Sequence, residues 1–318
     1  MNENLVKSIK AAHIHKKISN ELYSIVKPGM SLREIVLFIE DSIKTDPLII
    51  DKNMINNGIA FPVGVSVNNC VAHYTPNSND LNYQLIDTDI IKIDYGVHYE
   101  GNIIDSAFTL NFDNKYDEFI THSRELTNYV VSISGVDVVL GEIGELVDEY
   151  VNGLEIELDN KTVPLQVMKD LCGHKIAPYI IHAGKAVPNT KILYPIRMQE
   201  NEFYAIEPFL TTGNGKSIIK TPISHYAINI NYLNNPNPYK IKNKEDKETY
   251  EYIKQTYYSL PFCERWIPNK NLQNLVDKNI VQVYPPIYDI DDSLVSQFEH
   301  TIYIRDKGIL KLTANDNY

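Results

Sequence analysis

Five residues of metal-ligand type are spread along the sequence, namely Asp94, Asp105, His174, Glu207 and Glu299. Four carboxylates and one imidazole can hold a pair of divalent cations, and such a pair activates water for hydrolysis. Two divalent cations would also offset the mutual repulsion of four carboxylates in one pocket. The set therefore predicts a metal-dependent hydrolase. Because oxygen ligands dominate, Mn, Fe or Co is favoured over Zn, which remains an alternative.

The two aspartates are expected on neighbouring strands of one hairpin. Asp94 and Asp105 each follow a β-branched run, and a turn-prone segment from Tyr99 to Asn102 lies between them. A two-residue loop at positions 99 and 100 places the carboxylates directly opposite each other, and one at positions 100 and 101 places them diagonally on one face. The alternative is that both aspartates are solvated residues at strand ends.

The histidine candidate lies close in sequence to a second histidine. His174 precedes His182 by eight residues, and Pro178 between them argues against a helix. Alternation along an unbroken strand would put both imidazoles on one face. For either histidine alone, a hydrogen-bonded core residue is the competing interpretation.

Glu207 and Glu299 each lie inside an apolar segment that predicts a strand. Burial of an ionised carboxylate without a partner is expensive, so each glutamate needs a cation or a proton if it is buried. Exposure at a sheet edge is the alternative for both.

Composition limits the partners and the compartment. A formal charge of -11 without a Lys/Arg stripe argues against a nucleic-acid partner. Cys70, Cys172 and Cys263 are odd in number and unpaired in pattern, which favours a reducing compartment. Neither a signal peptide nor an apolar run of membrane-spanning length occurs, so we expect a cytoplasmic protein without a membrane partner.

Hydrophobic periodicity predicts helices followed by antiparallel strands, twice over, which is typical of an α+β domain with two similar halves. A polar and then helical segment interrupts the second strand block, and we interpret it as a helical insertion. The predicted helices cover residues 3–26, a stretch after a Ser31 capping box, 116–134 and 140–152, with 247–258 and 269–278 in the insertion. The predicted strands cover residues 63–67, 89–95 and 103–110, a block within 171–210, and residues 281–284 and 297–305.

Long motifs surround the candidate ligands in a fixed order. They occupy residues 61–69, 72–76, 92–96, 101–107, 173–184, 205–207 and 297–301. Together they resemble the type 2 methionine aminopeptidase family over residues 5–318. The resemblance implies the pita-bread fold: one catalytic domain over residues 1–318, built of two pseudo-symmetric α+β halves with antiparallel sheet and metals between them. It also implies that residues 226–283 form the helical insertion subdomain of type 2 enzymes.

The resemblance assigns a role to each ligand. Asp94 would bind one metal, His174 and Glu207 the other, and Asp105 and Glu299 would bridge both. A hydroxide between the metals would attack the carbonyl of the first peptide bond.

The resemblance also implies catalytic and substrate-binding residues. His182 matches the family histidine that contacts the scissile amide, His73 matches the one beside the leaving peptide, and Glu207 would move a proton to the departing amine. The pocket for the methionine side chain would be lined by Phe61, Ile181, Phe209, His225 and Tyr284.

By the same resemblance, the substrates are nascent polypeptide N-termini with a small second residue, and the enzyme is a monomer. Family members from animals and yeast carry a charged N-terminal extension linked to ribosome association, whereas this sequence starts at its first predicted helix. Ribosome association is therefore not implied. The alternatives are an X-Pro dipeptidase of the same fold, whose members usually have a separate N-terminal domain, and a non-catalytic pita-bread binding module, which would have lost its ligands.

Overall fold

A computed structural model describes residues 2–49, 51, 53–237, 240–267, 271–315 and 317, which contain seven α-helices, twenty strands and two short 3₁₀ segments. The helices are α1 Glu3–Ile25, α2 Leu32–Thr45, α3 Asp117–Ile133, α4 Leu140–Val151, α5 Ile230–Asn234, α6 Lys244–Thr256 and α7 Gln273–Asp277. The strands of the first half are β1 Asn57–Ile59, β2 Gly64–Val67, β3 Cys70–Ala72, β4 Ile90–Tyr99 and β5 Asn102–Asn111.

The remaining strands follow α4. They are β6 Glu155–Leu158, β7 Lys161–Pro164, β8 Gln166–Val167, β9 Cys172–Ile176, β10 Ala186–Pro188, β11 Phe203–Ile206, β12 Phe209–Thr211, β13 Ile218–Ile219, β14 His225–Ile228, β15 Phe262–Cys263, β16 Val281–Tyr284, β17 Ile287–Tyr288, β18 Val295–Gln297, β19 His300–Ile304 and β20 Ile309–Lys311.

The first half packs α1 and α2 against a sheet around the long β4–β5 hairpin. Ala11, Ile14, Ile18 and Leu22 of α1 are buried, and their spacing of three or four residues puts them on one helix face. Ser31 begins α2 with the predicted capping box, in which its hydroxyl accepts from the Glu34 backbone N–H. The periodicity of the sequence thus predicted both helices.

The second half repeats this plan with α3, α4 and a five-stranded antiparallel sheet in the order β10-β9-β11-β19-β20. Each of the chain segments 203–211 and 295–304 leaves this sheet and continues in a neighbouring one, where β12 lies between β18 and β8. Two similar α+β halves are therefore present, as the sequence predicted, and they meet where β5 lies beside β18 and β19.

Side-chain hydroxyls join the two halves along this line. Thr301 Oγ1 accepts from the backbone N–H of Asp105 at 2.9 Å and donates to its carbonyl at 2.6 Å. Thr109 Oγ1 makes the same pair of bonds with the backbone of Gln297, at 2.9 and 2.8 Å. Because each of these buried hydroxyls both donates and accepts, the bonds fix the position of β5 relative to β18 and β19.

Residues 226–283 contain α5, α6, α7 and β15 between the paired strands β14 and β16. A separate apolar cluster fills this segment, with Tyr250, Ile253, Phe262 and Leu275 among its buried members. Of the predicted insertion, residues 238, 239 and 268–270 lie outside the described residues. None of the described helices combines the length and apolar character needed to cross a bilayer.

Candidate active site

The β4–β5 hairpin brings the two candidate aspartates together. Its loop is Glu100-Gly101, whose φ angles of 47° and 77° are both positive, as a type I′ turn requires. Gly96 therefore pairs with Asp105, and Asp94 pairs with Ala107. The carboxylates lie diagonally on one sheet face, which is the second of the two arrangements that the sequence allowed.

The other half supplies His174 from the middle of β9, where it pairs with Ala205 of β11. Its Nε2 atom lies 3.5 Å from Asp105 Oδ2 and 3.2 Å from Glu207 Oε1. One imidazole thus contacts carboxylates from both halves, and the line between the halves passes through the site.

Glu207 and Glu299 lie at the points where their chain segments change sheets. Ile206 pairs with His300 and Phe209 with Gln297, so Glu207-Pro208 stands across from Phe298-Glu299. The prediction that each glutamate lies inside a strand was wrong, because the ladder is interrupted at both. Pro208 has no N–H to donate to the ladder, and Glu207 borders the cleft while Glu299 lies fully buried.

Gln297 is a site residue for which the sequence predicted no role. Its Nε2 atom donates to Glu207 Oε2 at 3.2 Å and to Glu299 Oε2 at 3.4 Å. Its position two residues before Glu299 puts both side chains on one side of an extended segment, and this spacing is the only signal the sequence offers. The amide orients two carboxylates that would otherwise repel each other.

Burial and mutual repulsion dominate the electrostatics of the site. Burial raises the pKa of Asp94 to about 8, and the nearby charge of Glu207 adds to this shift. Burial likewise raises the pKa of Glu207 to about 8. The pKa values of Asp105 and Glu299 are raised well above the ordinary range by burial first and by the neighbouring carboxylates second.

These residues fit divalent metal ions. Asp105, His174 and Glu299 each offer one ligand atom, and the three atoms lie within 4.8 Å of one another. Asp94 Oδ1 and Glu299 Oε1 are buried and accept no hydrogen bond. Burial lowers the pKa of His174 to about 4, which leaves the imidazole neutral, as a ligand must be. A cation would satisfy the unpaired oxygens and neutralise the crowded charge.

A cleft opens above the carboxylates. Phe61 packs so closely on β4 that a Cβ at Gly96 would come within 2.3 Å of its ring, so only glycine fits there. Four of the predicted pocket residues line the cleft, but Phe209 packs behind it with Val71, Met168 and Val295. The full lining is Phe61, Pro62, Gly64, His73, Asp94, Asp105, His174, Ile181, His182, Glu207, His225, Pro261 and Tyr284.

Turns of the backbone place His182 and His73 in the cleft. His182 lies beyond β9, after a turn at Tyr179 with a φ of 62°, and its ring centroid is 4.4 Å from that of His174. A turn, not an unbroken strand, therefore brings these two imidazoles together. His73 also has a positive φ of 62°, and its ring centroid is 5.8 Å from that of Tyr284.

Comparisons with known proteins agree with this geometry. The model of metallopeptidase family M24 matches residues 7–231. Methionine aminopeptidase 2 of Schizosaccharomyces pombe is 37% identical over 316 residues, which cover 97% of this chain and 72% of that protein.

Solved structures with lower identity share the fold. The methionine aminopeptidase from Thermotoga maritima has a TM-score of 0.66 at 18% identity, covering 99% of this chain and 98% of that one. The structure of a thermophilic Arx1 has a TM-score of 0.79 at 16% identity, covering 98% and 91%. The fold is thus the pita-bread fold, and the chain belongs to metallopeptidase family M24 and, within it, to the methionine aminopeptidase 2 family.

Proposed function

We propose that this protein is a metal-dependent methionyl aminopeptidase that removes the initiator methionine from peptides and nascent proteins with a small second residue. The observation that carries the proposal is the convergence of Asp94, Asp105, His174, Glu207 and Glu299 beneath a cleft with apolar and aromatic walls. Family membership supports the same reaction, since relatives that align with nearly the whole chain are named methionine aminopeptidase 2.

The five ligand-type residues would hold two divalent ions, with Asp94 on one, His174 and Glu207 on the other, and Asp105 and Glu299 shared. When bound, such ions activate water and polarise the carbonyl of the first peptide bond. Mn, Fe or Co suits this oxygen-rich set best, and Zn is an alternative.

The chain's own groups would orient the peptide and move its proton. Glu207 borders the cleft, where its carboxylate would accept a proton from the nucleophile and pass it to the departing amine. His73 and His182 line the cleft near Tyr284, at ring centroid distances of 5.8 and 6.3 Å; His182 would contact the scissile amide, and His73 would lie beside the leaving peptide.

The methionine side chain would lie against Phe61, Ile181, His225 and Tyr284. A flexible thioether packs well on aromatic and aliphatic walls. Phe209 would support the pocket from behind, through the cluster in which it packs. We further propose one catalytic domain over residues 1–318 that acts as a cytoplasmic monomer on nascent chains, with residues 226–283 as a subdomain between the two cleft residues His225 and Tyr284.

A peptide panel tests this function. Metal-free protein would be reloaded with Mn, Fe, Co or Zn and offered Met-Ala-Ser, Met-Leu-Ser, Leu-Ala-Ser and the dipeptide Ala-Pro. We expect hydrolysis of Met-Ala-Ser only, and only with metal. Preferred cleavage of Ala-Pro would indicate an X-Pro dipeptidase, and activity that survives chelation would refute the metal-dependent mechanism.

A further inference from the structure

Both ring nitrogens of His225, a residue of the cleft wall, are bonded inside the protein. Nε2 lies 3.2 Å from the carbonyl oxygen of Pro62, and Nδ1 lies 2.9 Å from Ser224 Oγ. Ser224 is itself buried, and its hydroxyl accepts from the Thr75 backbone N–H at 3.3 Å. The bonds join the segment before β2, the segment after β3 and β14.

The chemistry of these partners fixes the tautomer. A carbonyl oxygen only accepts, so Nε2 of His225 must carry a hydrogen and donate it to Pro62. In a neutral imidazole Nδ1 then bears the lone pair, and the Ser224 hydroxyl is its donor at 2.9 Å, since the other acceptor within reach of this hydroxyl, the His73 carbonyl oxygen, is farther away at 3.3 Å. Thr75 completes the chain, because its N–H occupies an acceptor position of the same hydroxyl.

The ring is neutral at physiological pH. His225 is only 6% exposed, and burial lowers its pKa to about 3, with a further contribution from the neighbouring His73. A charged ring would need a second acceptor at Nδ1, and the Ser224 hydroxyl would then have to give up its role as donor.

We propose that Ser224 is a positioning residue that occupies Nδ1 of His225 while the Pro62 carbonyl holds the hydrogen on Nε2, so that His225 offers the bound side chain carbon atoms and no hydrogen bond. This rests on the proposed function. The consequence is specificity: glutamine has nearly the length of methionine, but its amide would be buried against His225 without a partner. The other polar group of this wall, the Tyr284 hydroxyl, already accepts a hydrogen bond from the Gln282 side-chain amide, so it could donate to a glutamine carbonyl but would leave the glutamine N–H groups unpaired.

Nitrogen NMR of histidine in the intact, zinc-loaded protein tests the tautomer without any activity. Zinc is chosen because it is diamagnetic, and the signals of His225 are those lost in His225→Gln. We expect a protonated Nε2 and an unprotonated Nδ1 across neutral pH. A hydrogen on Nδ1, alone or together with one on Nε2, would overturn the proposal even if every variant folds and works.

Kinetics test the consequence for specificity with tripeptides that begin with Met, norleucine or Gln and continue Ala-Ser. Norleucine keeps the shape and lacks polarity, so it separates size from hydrogen bonding. In wild type we expect norleucine to be cleaved and Gln to be slower than Met in kcat/KM by roughly tenfold or more, the effect of one unpaired buried amide.

Ser224→Ala leaves the Nδ1 lone pair without its donor and free to accept from a glutamine N–H, so we expect the Met/Gln ratio to fall at least about threefold and the Nδ1 signal to shift, whereas Ser224→Thr keeps the hydroxyl and restores both. An unchanged ratio and signature in Ser224→Ala would contradict the proposal. If wild type cleaves none of the peptides, the proposed function fails, but the NMR result still decides the tautomer.

Discussion

At the scale of single residues, the site is a set of carboxyl groups held close together, although their ionised forms repel one another. Asp105 and Glu299 are at most 5% exposed, and their pKa values are well above the ordinary range. A folded acid with a raised pKa costs stability at neutral pH, because the unfolded chain ionises freely. These buried acids therefore lower the stability of the metal-free protein, and the same oxygens would bind cations.

Asp105→Asn tests whether the buried acids lower the stability of the metal-free protein and bind the stabilising cation. The amide copies the protonated acid, so we expect the metal-free variant to melt at the same temperature as wild type or roughly 2–4 °C higher for each kcal/mol of relieved repulsion. With manganese, wild type should gain stability and the variant should not, since a shared ligand is gone. Thermal melts with and without the ion measure both effects. A variant that is destabilised without metal and stabilised normally with it would contradict the assignment.

Gln297→Ala removes the amide that orients Glu207 and Glu299. Loss of a group that holds metal ligands in place typically lowers affinity by about 10–100-fold, and we expect that range for manganese in calorimetric titration. Gln273→Ala, at an exposed position of α7, is the matched control and should bind as wild type does. Equal affinities for the two variants would show that Gln297 has no such role.

The five candidate ligands could be singled out from the sequence, because carboxylates in apolar surroundings need a cation or a proton if they are buried. The role of Gln297 could not, because it depends on the place where two chain segments change sheets. Nor could the position of Phe209, since a buried aromatic residue fits either a pocket wall or the core behind it.

At the scale of elements, the strands of the second half are tied by a buried carboxylate. Glu202, just before β11, accepts from Lys175 Nζ at 2.7 Å, from Lys185 Nζ at 2.7 Å and from the Tyr204 hydroxyl at 2.6 Å. Although burial opposes the shift, these bonds lower its pKa to about 2. The cluster aligns β9 and β11, which carry His174 and lead to Glu207.

Glu202→Gln should therefore change the pH dependence of stability. A folded pKa lowered from 4.5 to about 2 contributes stability that is complete above pH 4.5 and is lost as the pH falls toward 2. At pH 7 we expect the variant to lose on the order of 1.5–3 kcal/mol of unfolding free energy, and the gap to wild type to close in that acid window. Denaturant titrations at several pH values measure this, with exposed Glu200→Gln as control. A gap independent of pH would refute the argument.

Residues 226–283 are joined to the first half by an ion pair. Arg265 contacts Glu40 of α2 through Nη2 at 2.8 Å and Nη1 at 3.2 Å, and Glu40 is 2% exposed. Without Arg265, Glu40 keeps the Trp266 indole N–H at 3.0 Å and Lys44 Nζ at 3.6 Å, so we expect a cost below the about 3–5 kcal/mol of a buried charge left with no partner.

Arg265→Met should speed hydrogen exchange in α6 and α7 more than in β4, while Glu40→Gln added to it should recover part of the protection. Arg305→Met, at an exposed position, serves as the control. Uniform exchange across the protein would mean that the pair does not hold the insertion.

Helix positions followed from hydrophobic periodicity and from the Ser31 capping box, since each depends on neighbours close in sequence. The sheet changes at Glu207 and Glu299 depend on pairing between segments some ninety residues apart, which no local pattern encodes. The β4–β5 hairpin could be predicted in part. Its turn residues allowed two strand registers, and the structure has the one with Glu100-Gly101 in the loop.

At the scale of the whole molecule, two halves that share one hydrophobic core meet along β5, β18 and β19, and the candidate ligands come from both. A cation bound there would link the halves and stabilise the fold by mass action. The two-halved plan could be predicted from element order, whereas the fit between the halves rests on buried hydroxyls such as Thr109 and Thr301, which look ordinary in the sequence.

The most direct test of the central claim is anomalous diffraction from a crystal grown with manganese. We predict two anomalous peaks at the base of the cleft, with Asp105 and Glu299 in contact with both, Asp94 on one, and His174 and Glu207 on the other. An absence of peaks at saturating manganese, or peaks bound by other residues, would contradict the account.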